Sequence, residues 1–179
     1  MELPYPRVRL YCRRMGTKTD GQDEFVEFWR QTSSRVRAYM FCACHNAGDA
    51  DDLTQDCYVR AFRSWSAFAG AGTRQAWLFA IARSTQVDWI RKQRRQNRIF
   101  EARSQDDGCQ AASERNCDEA EAIWQAVGQL GPDQQEVVHL RFAAGLSYAE
   151  IAEMLGVPIG TIRSRLHRGL QALREVIEE

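Results

Sequence analysis

The sequence lacks a long apolar run, and its longest one, Ala76 to Ala82, is far too short to span a membrane. Four arginines lie between residues 7 and 14, but no apolar core of a signal peptide follows them. Six cysteines among 179 residues are too few for a disulfide scaffold, so we expect reduced and mostly buried thiols. These absences predict a cytoplasmic protein without membrane insertion.

Catalytic motifs are also absent. The chain has no Walker phosphate loop, no paired-histidine metalloprotease motif and no nucleophile elbow. We therefore expect neither enzymatic activity nor a cofactor. Cys42-Ala43-Cys44-His45 is an alternative candidate for a metal or redox sensor, with Cys109 and Cys117 as further thiols. Its cysteines are closer than ordinary zinc spacing and no second ligand pair lies nearby, so we predict no metal site.

The formal net charge is zero, with 24 basic and 24 acidic side chains, but the charges are unevenly distributed. Residues 60–103 contain ten Lys or Arg and two acids, whereas residues 104–136 contain eight acids and one base. Such asymmetry predicts one basic surface for a polyanion and other surfaces for protein partners.

Apolar residues recur with the period of a helix and no strand pattern is found, which predicts an all-α protein of two small helical domains. Residues 1–21 are predicted to be a flexible tail, in which Met15 is a second candidate start. The first domain covers 22–98, a linker rich in small and polar residues covers 99–118, and the second domain covers 119–179.

Three helices are predicted in the first domain. The first opens after Asp23 as N-cap, the second runs from Asp49 to about Trp65, and the third runs from near Thr73 past Arg91. The inner face of the third is assigned to Trp77, Ala80, Ile81, Ser84, Val87 and Ile90.

Residues 147–173 have the pattern of a helix-turn-helix. Ser147 and Glu150 have capping-box spacing, Leu146 and Ile151 can form a hydrophobic staple, and Gly156 ends the short helix. The second helix, from Pro158, turns Ile162, Leu166, Gly169, Leu170 and Leu173 inward. Its outward positions are candidates for DNA contacts in the major groove: Thr161, Arg163, Ser164, Arg165, His167 and Arg168. A solvated helical hairpin is the alternative interpretation.

The segment LSYAEIAEMLGVPIGTIRSRLHRGL, residues 146–170, resembles region 4 of the extracytoplasmic-function (ECF) sigma factors. The preceding LGPDQQEV, from Leu130, resembles the start of that domain. The resemblance implies binding to the −35 promoter element and to the flap of the polymerase β subunit. It assigns base reading to Arg163, Ser164, His167 and Arg168. A LuxR-type regulator, whose final domain has a similar helix-turn-helix, is the alternative function.

The acidic start of the second helix is the next candidate site. Asp52 and Asp56 lie one turn apart with Gln55 beside them, and no Lys or Arg occurs from His45 to Tyr58. These acids either complement the helix dipole or meet a basic partner. The segment DADDLTQDCYVRAF, from Asp49, resembles sigma region 2, which implies docking on the clamp helices of polymerase β′ through Asp52, Gln55, Asp56 and Arg60. A LuxR-type regulator would place a receiver or ligand-binding domain here.

The third helix resembles the element of region 2 that reads the −10 promoter element. The matching segment is TRQAWLFAIARSTQVDWIRK, from Thr73, in which tryptophans interleave with basic residues. Core packing is the favoured interpretation for Trp77, and the loop from Phe68 to Arg74 is the candidate pocket for a flipped base. Candidate −10 residues are Phe68, Gly70, Thr73, Arg74, Arg83, Ser84 and Arg91. The family usually has Asn where Ser84 stands.

The resemblance covers about residues 22–98 and 119–177. It implies a factor that binds core RNA polymerase through both domains, reads duplex −35 DNA with region 4 and captures the −10 element as single strand with region 2. The free energy needed to melt the −10 DNA would be offset by stacking of its bases and by contacts in the pocket. An anti-sigma factor is a further partner that the resemblance implies.

Overall fold

The computed structural model describes residues 19–68, 73–103 and 126–178, and these contain helices and no strand, which confirms the all-α prediction for them. The helices are α1 (Thr19–Cys44), α2 (Ala47–Arg63), α3 (Arg74–Arg103), α4 (Pro132–Val138), α5 (Tyr148–Leu155) and α6 (Ile159–Glu178). Residues 126–128 are helical before α4, a 3₁₀ turn (Trp65–Ala67) follows α2, and a π-helical turn (His139–Ala143) continues α4. No described helix is long and apolar enough to cross a membrane.

The N-terminal domain is a three-helix bundle of α1, α2 and α3. The apolar faces of α1 and α2 are largely buried, with Phe25 against Phe62 at 4.9 Å between ring centroids. A buried hydrogen bond of 2.8 Å joins the hydroxyls of Thr32 and Tyr58 and ties α1 to α2. Buried polar groups need such partners, because an unpaired hydroxyl in a core costs about 1–3 kcal/mol.

The helix starts predicted at Asp23 and Asp49 are wrong. Helix α1 already begins at Thr19, within the predicted tail, so Asp23 lies inside the helix rather than at its N-cap. Helix α2 begins at Ala47, since the side chain of Asn46 accepts a 3.0 Å hydrogen bond from the Asp49 amide and caps it.

Helix α3 differs from its prediction in two ways. It continues to Arg103, five residues beyond the expected domain boundary at 98; residues 104–125, which hold the rest of the predicted linker, lie outside the described residues, as do residues 1–18. On its predicted inner face, the assignments of Ala80 and Ser84 are wrong because both residues are exposed, whereas Trp77, Ile81, Val87 and Ile90 are half-buried. The buried positions are Leu78, Phe79, Ala82 and Thr85. An uninterrupted apolar run from 76 to 82 contains two helical stripes, and periodicity alone does not choose between them.

The C-terminal domain packs α4 and its π turn against α5 and α6. Gly169 lies where α6 crosses α4, and a Cβ there would come within 3.3 Å of the Val138 side chain. Ile162, Leu166 and Leu173 are buried as predicted, but Leu170 is 41% exposed, so the prediction for that residue is wrong. The close approach at Gly169 turns the buried stripe of α6 away from Leu170.

Candidate nucleic-acid and polymerase interfaces

The helix-turn-helix is built as its local sequence predicts. Ser147 accepts from the Glu150 amide at 3.3 Å, and the Glu150 carboxylate accepts from the Ser147 amide at 2.8 Å, which completes the capping box. Leu146 and Ile151, the predicted staple, are both fully buried. Gly156 has the left-handed conformation, with φ of 66°, that ends α5 and turns the chain into α6.

A feature that the sequence did not indicate fixes the loop before α5. Arg141, in the π turn, donates to the Leu146 carbonyl at 2.9 Å, and its guanidinium lies 5.2 Å from the centre of the Tyr148 ring. The arginine therefore connects the end of the π turn to both the entry and the first residue of α5.

The outer face of α6 holds most of the predicted −35 residues together. Arg163, Ser164, His167 and Arg168 are exposed and Thr161 is half-buried. The Ser164 hydroxyl donates to the Thr161 carbonyl at 2.9 Å, so its lone pairs face outward as acceptors. We refer to these residues as the α6 reading face, after the DNA contacts that the sequence predicts for them: Thr161, Arg163, Ser164, His167 and Arg168.

Arg165 has a different environment from the α6 reading face. Its side chain is 26% exposed and pairs with Asp133 of α4, with 2.5 Å between Nη2 and Oδ2. This ion pair joins α6 to α4 on the side of the helix next to the buried stripe.

Aromatic and basic side chains meet where α2 ends and α3 begins. Trp77 is half-buried between Trp65 and Phe68, with ring centroids 6.0 and 5.3 Å away, which fits the core-packing interpretation. The Arg74 guanidinium lies 4.8 Å above the Trp65 ring and pairs with Glu24. The loop glycine predicted for the same pocket, Gly70, lies outside the described residues.

The other predicted −10 residues divide into two groups. Ser84 and Arg91 are exposed on α3. Thr73 and Arg83 instead contact carboxylates of the C-terminal domain: Thr73 Oγ1 lies 2.5 Å from Glu150, and Arg83 Nε lies 2.5 Å from Glu136. The ion pair raises the pKa of Arg83.

The Glu150 carboxylate therefore serves two partners. Burial opposes its ionisation, but hydrogen bonds from Thr73 and Ser147 together outweigh that effect and lower its pKa below the ordinary value. The sequence pattern predicts only a capping role for Glu150. Its contact with Thr73 joins residues 77 positions apart, which no local pattern indicates.

The predicted polymerase-docking residues lie along one side of α2. Asp52 and Asp56 are exposed and line a groove of about 300 Å³ that Trp89 and Lys92 of α3 close on the other side. Gln55 is half-buried, and Arg60 pairs with Asp88 at 3.0 Å. Only Asp49 lies in the first turn of α2.

The cysteines that the structure describes fit the prediction of reduced thiols. Cys42, Cys44 and Cys57 are free, and burial raises the pKa of Cys42 and Cys57 to about 12, where the thiolate is scarce. Among the described residues no group of three metal-ligating side chains is found.

Comparison with known proteins identifies the two domains. The family model of Sigma-70 region 2 matches residues 28–96, and that of Sigma-70, region 4 matches residues 120–173. The residues that match region 2 are those in which a LuxR-type regulator would have a receiver or ligand-binding domain. Nothing in the comparisons favours a LuxR-type regulator.

Relatives with similarity over both domains are sigma factors. The chain is 36% identical to the ECF RNA polymerase sigma factor SigE of Mycolicibacterium smegmatis, over 87% of this chain and 61% of that protein. It is 34% identical to SigC of Mycobacterium tuberculosis, over 84% of this chain and 80% of that protein. A solved structure, RpoE of Bartonella quintana with the anti-sigma factor NepR, matches 87% of this chain and 97% of RpoE at a TM-score of 0.71 and 26% identity. The chain belongs to the ECF RNA polymerase sigma factors.

Proposed function

We propose that this sigma factor docks on core RNA polymerase through both helical domains, reads the −35 element as duplex with α6, and holds the −10 element as single strand on α3. The observation that carries the proposal is the α6 reading face. It places exposed basic and hydroxyl side chains on the second helix of a fully capped helix-turn-helix. In this motif the second helix enters the major groove.

The chemistry of the α6 reading face suits base edges. Arg163 and Arg168 can each hold a guanine through its O6 and N7 atoms, and Ser164 presents acceptor lone pairs to a base amino group. Because the two arginines are five positions apart in the sequence, they lie about 7.5 Å apart along the axis of α6, or about two base pairs. We assign Arg165 to positioning α6 rather than to base reading, since it pairs with Asp133.

The start of α3 suits single-stranded DNA. Trp65 and Phe68, which pack on the inner Trp77, lie beside the cationic Arg74. Unpaired bases stack on such combinations of aromatic rings and cationic side chains. Exposed Arg91 would contact the phosphate backbone farther along α3. A stacked base contributes roughly 1–3 kcal/mol, enough to offset the cost of unpairing it.

The acidic side of α2 is proposed to dock on the polymerase. Because α2 begins at Ala47, both Asp52 and Asp56 lie beyond its first turn, where the helix dipole has little effect. Complementing the dipole therefore does not account for them. A basic partner surface would relieve the repulsion between the two carboxylates.

An anti-sigma factor is proposed as a further partner, supported by the similarity to RpoE, which was solved with NepR. We also place the protein in the cytoplasm, where core polymerase and chromosomal DNA are found. The protein itself is proposed to perform no catalysis, because the polymerase carries out the chemistry of transcription.

Reconstitution tests the proposed function. The full chain is mixed with core RNA polymerase of Mycolicibacterium smegmatis without DNA, and complex formation is measured by gel filtration. The assembled holoenzyme is then used to select promoters from a random DNA library. Co-elution and enrichment of a two-part promoter are expected. A chain that binds duplex DNA alone but never binds core polymerase would instead be a stand-alone regulator.

A further inference from the structure

We propose that Arg60 belongs to the −10 DNA surface rather than to the polymerase-docking surface, and that its guanidinium, held over Ser84 by Asp88, binds a backbone phosphate of the captured strand. For the role of α3 this inference rests on the function proposed above, which it deepens. It reassigns a residue that the family resemblance places with the docking acids Asp52 and Asp56.

The contact between α2 and α3 changes charge along its length. At one end Asp52 and Asp56 of α2 line the groove that Lys92 of α3 closes. Arg60 lies about 6 Å farther along α2 than Asp56 and contacts Asp88 instead. Because a later residue of α2 meets an earlier residue of α3, the two helices are antiparallel. Arg60 therefore lies beyond the acidic groove, on the side toward the start of α3.

The start of α3 is where the proposed single-strand site lies. Trp65 and Phe68 follow Arg60 shortly after the end of α2, and Arg74 begins α3 beside the Trp65 ring. Along the chain, Arg60 thus lies between the docking acids and the aromatic side chains on which unpaired bases would stack.

The Arg60 guanidinium is held at one nitrogen and open at the others. Its Nη1 donates to Asp88 Oδ2 at 3.0 Å and to Ser84 Oγ at 3.5 Å. Among the described residues no contact takes its Nη2 or Nε, and the side chain is 42% exposed. An arginine oriented in this way presents a pair of N–H donors to solvent, and such a pair binds a phosphate through two parallel hydrogen bonds.

The exposed face of α3 needs a cation at this position. Ser84 and Arg91, two of the predicted −10 residues, are exposed and seven positions apart, so they share one face and lie about 10.5 Å apart along the axis. Arg83, the neighbour of Ser84, instead pairs with Glu136 of the C-terminal domain. Arg60 therefore supplies the positive charge beside Ser84 that α3 itself does not place there.

A purely structural role does not account for the ion pair between Arg60 and Asp88. Apolar packing already joins the helices, with Phe62 of α2 and Phe79 of α3 both buried in the core. A pair in which the side chains are 42% and 54% exposed adds little to stability.

A second ion pair provides the matched control. Arg37 of α1 and Asp51 of α2 lie 2.6 Å apart, and their side chains are exposed to a similar degree. Asp51 lies near the start of α2, whereas Arg60 lies in its last turn. Loss of either arginine therefore removes one charge and one exposed pair from the same domain, but only Arg60 adjoins the proposed DNA path.

Arg60→Gln tests the assignment in the reconstituted holoenzyme, with Arg37→Gln as the control. Binding of a labelled −10 single strand is measured by fluorescence anisotropy at several salt concentrations, and the affinity of each sigma variant for core polymerase is measured separately. Arg60→Gln should weaken strand binding about two- to fivefold, lower the salt slope by about 0.7 and leave the affinity for core polymerase unchanged. Arg37→Gln should change none of these quantities.

Three results would overturn the inference. A loss of core-polymerase affinity as large as the loss of strand affinity would return Arg60 to the docking surface. Equal losses of strand binding in both variants would indicate net charge or domain stability alone. Unchanged strand binding by Arg60→Gln would show that the guanidinium only joins α2 to α3. A wild-type holoenzyme that forms but does not bind the strand would overturn the proposed role of α3 itself, and this inference with it.

Neutral phosphates identify the group that Arg60 binds. Methylphosphonate is placed at one position of the −10 strand at a time, and each strand is bound to wild-type and Arg60→Gln holoenzyme. At one position the substitution should weaken binding by the wild type but not by the variant, because the variant already lacks that contact. Equal losses for both proteins at every position would exclude a phosphate contact by Arg60.

Discussion

Arg168→Ala tests whether α6 reads the −35 element. Arg168 is exposed on the α6 reading face, although the next residue, Gly169, is buried. Because the Arg168 side chain makes no core contact, its truncation should leave the domain folded. The perturbation therefore acts on DNA binding rather than on stability.

The size of the effect depends on what Arg168 contacts. Loss of a bidentate contact to guanine costs roughly 1–3 kcal/mol, which corresponds to about 5- to 150-fold in binding. Such a loss falls on one base pair of the −35 element. Loss of a phosphate contact weakens every sequence alike and lowers the salt slope by about one.

Run-off transcription separates these cases. A selected promoter is compared with the same promoter carrying a scrambled −35 element, using holoenzyme with wild-type or Arg168→Ala sigma. We expect the variant to lose much more transcription from the intact promoter than from the scrambled one. Arg174→Ala, six residues farther along α6, is the control. Equal losses on both templates would make Arg168 a phosphate contact, and no loss on either would remove this face of α6 from the DNA.

Three further predictions concern docking, folding and pH. Asp52→Arg combined with Asp56→Arg should weaken co-elution with core polymerase, while the far-ultraviolet circular dichroism signal of the helices stays unchanged. Full binding by this variant would mean that the two carboxylates only keep the surface of α2 hydrated. Ser147→Ala removes the cap of α5 and should lower the free energy of unfolding in urea by about 1 kcal/mol; an unchanged midpoint would refute the role of the capping box. Burial, reinforced by a neighbouring histidine, lowers the pKa of His139 to about 4. The unfolded chain therefore binds a proton between about pH 6.5 and 4 that the native chain does not, and stability should fall on acidification by at most about 1.4 kcal/mol per pH unit. His139→Gln should reduce this slope, the exposed His167→Gln should not, and equal slopes in both would contradict the assignment.

The helix-turn-helix could be predicted closely because its signals are local. Ser147 and Glu150 bond each other within one turn, and Gly156 alone allows the left-handed end of α5. The inner face of α3 could not be predicted in the same way. Every residue from Ala76 to Ala82 is apolar, and only packing against α1 and α2 selects Leu78 and Phe79 as the buried pair.

The amino-acid sequence by itself determined the all-α class, the two motif-bearing segments and the caps around α5, since each depends on residues a few positions apart. The tertiary structure decided which charged groups meet. Arg83 and Glu136 are 53 positions apart, and Arg35 lies 109 positions before the Ala144 carbonyl that it binds. Nothing in the spacing of such residues distinguishes a partner from a solvated charge. They become partners because the buried faces of α1, α3 and the π turn pack together, and the polar groups at the edge of that apolar contact must then find one another.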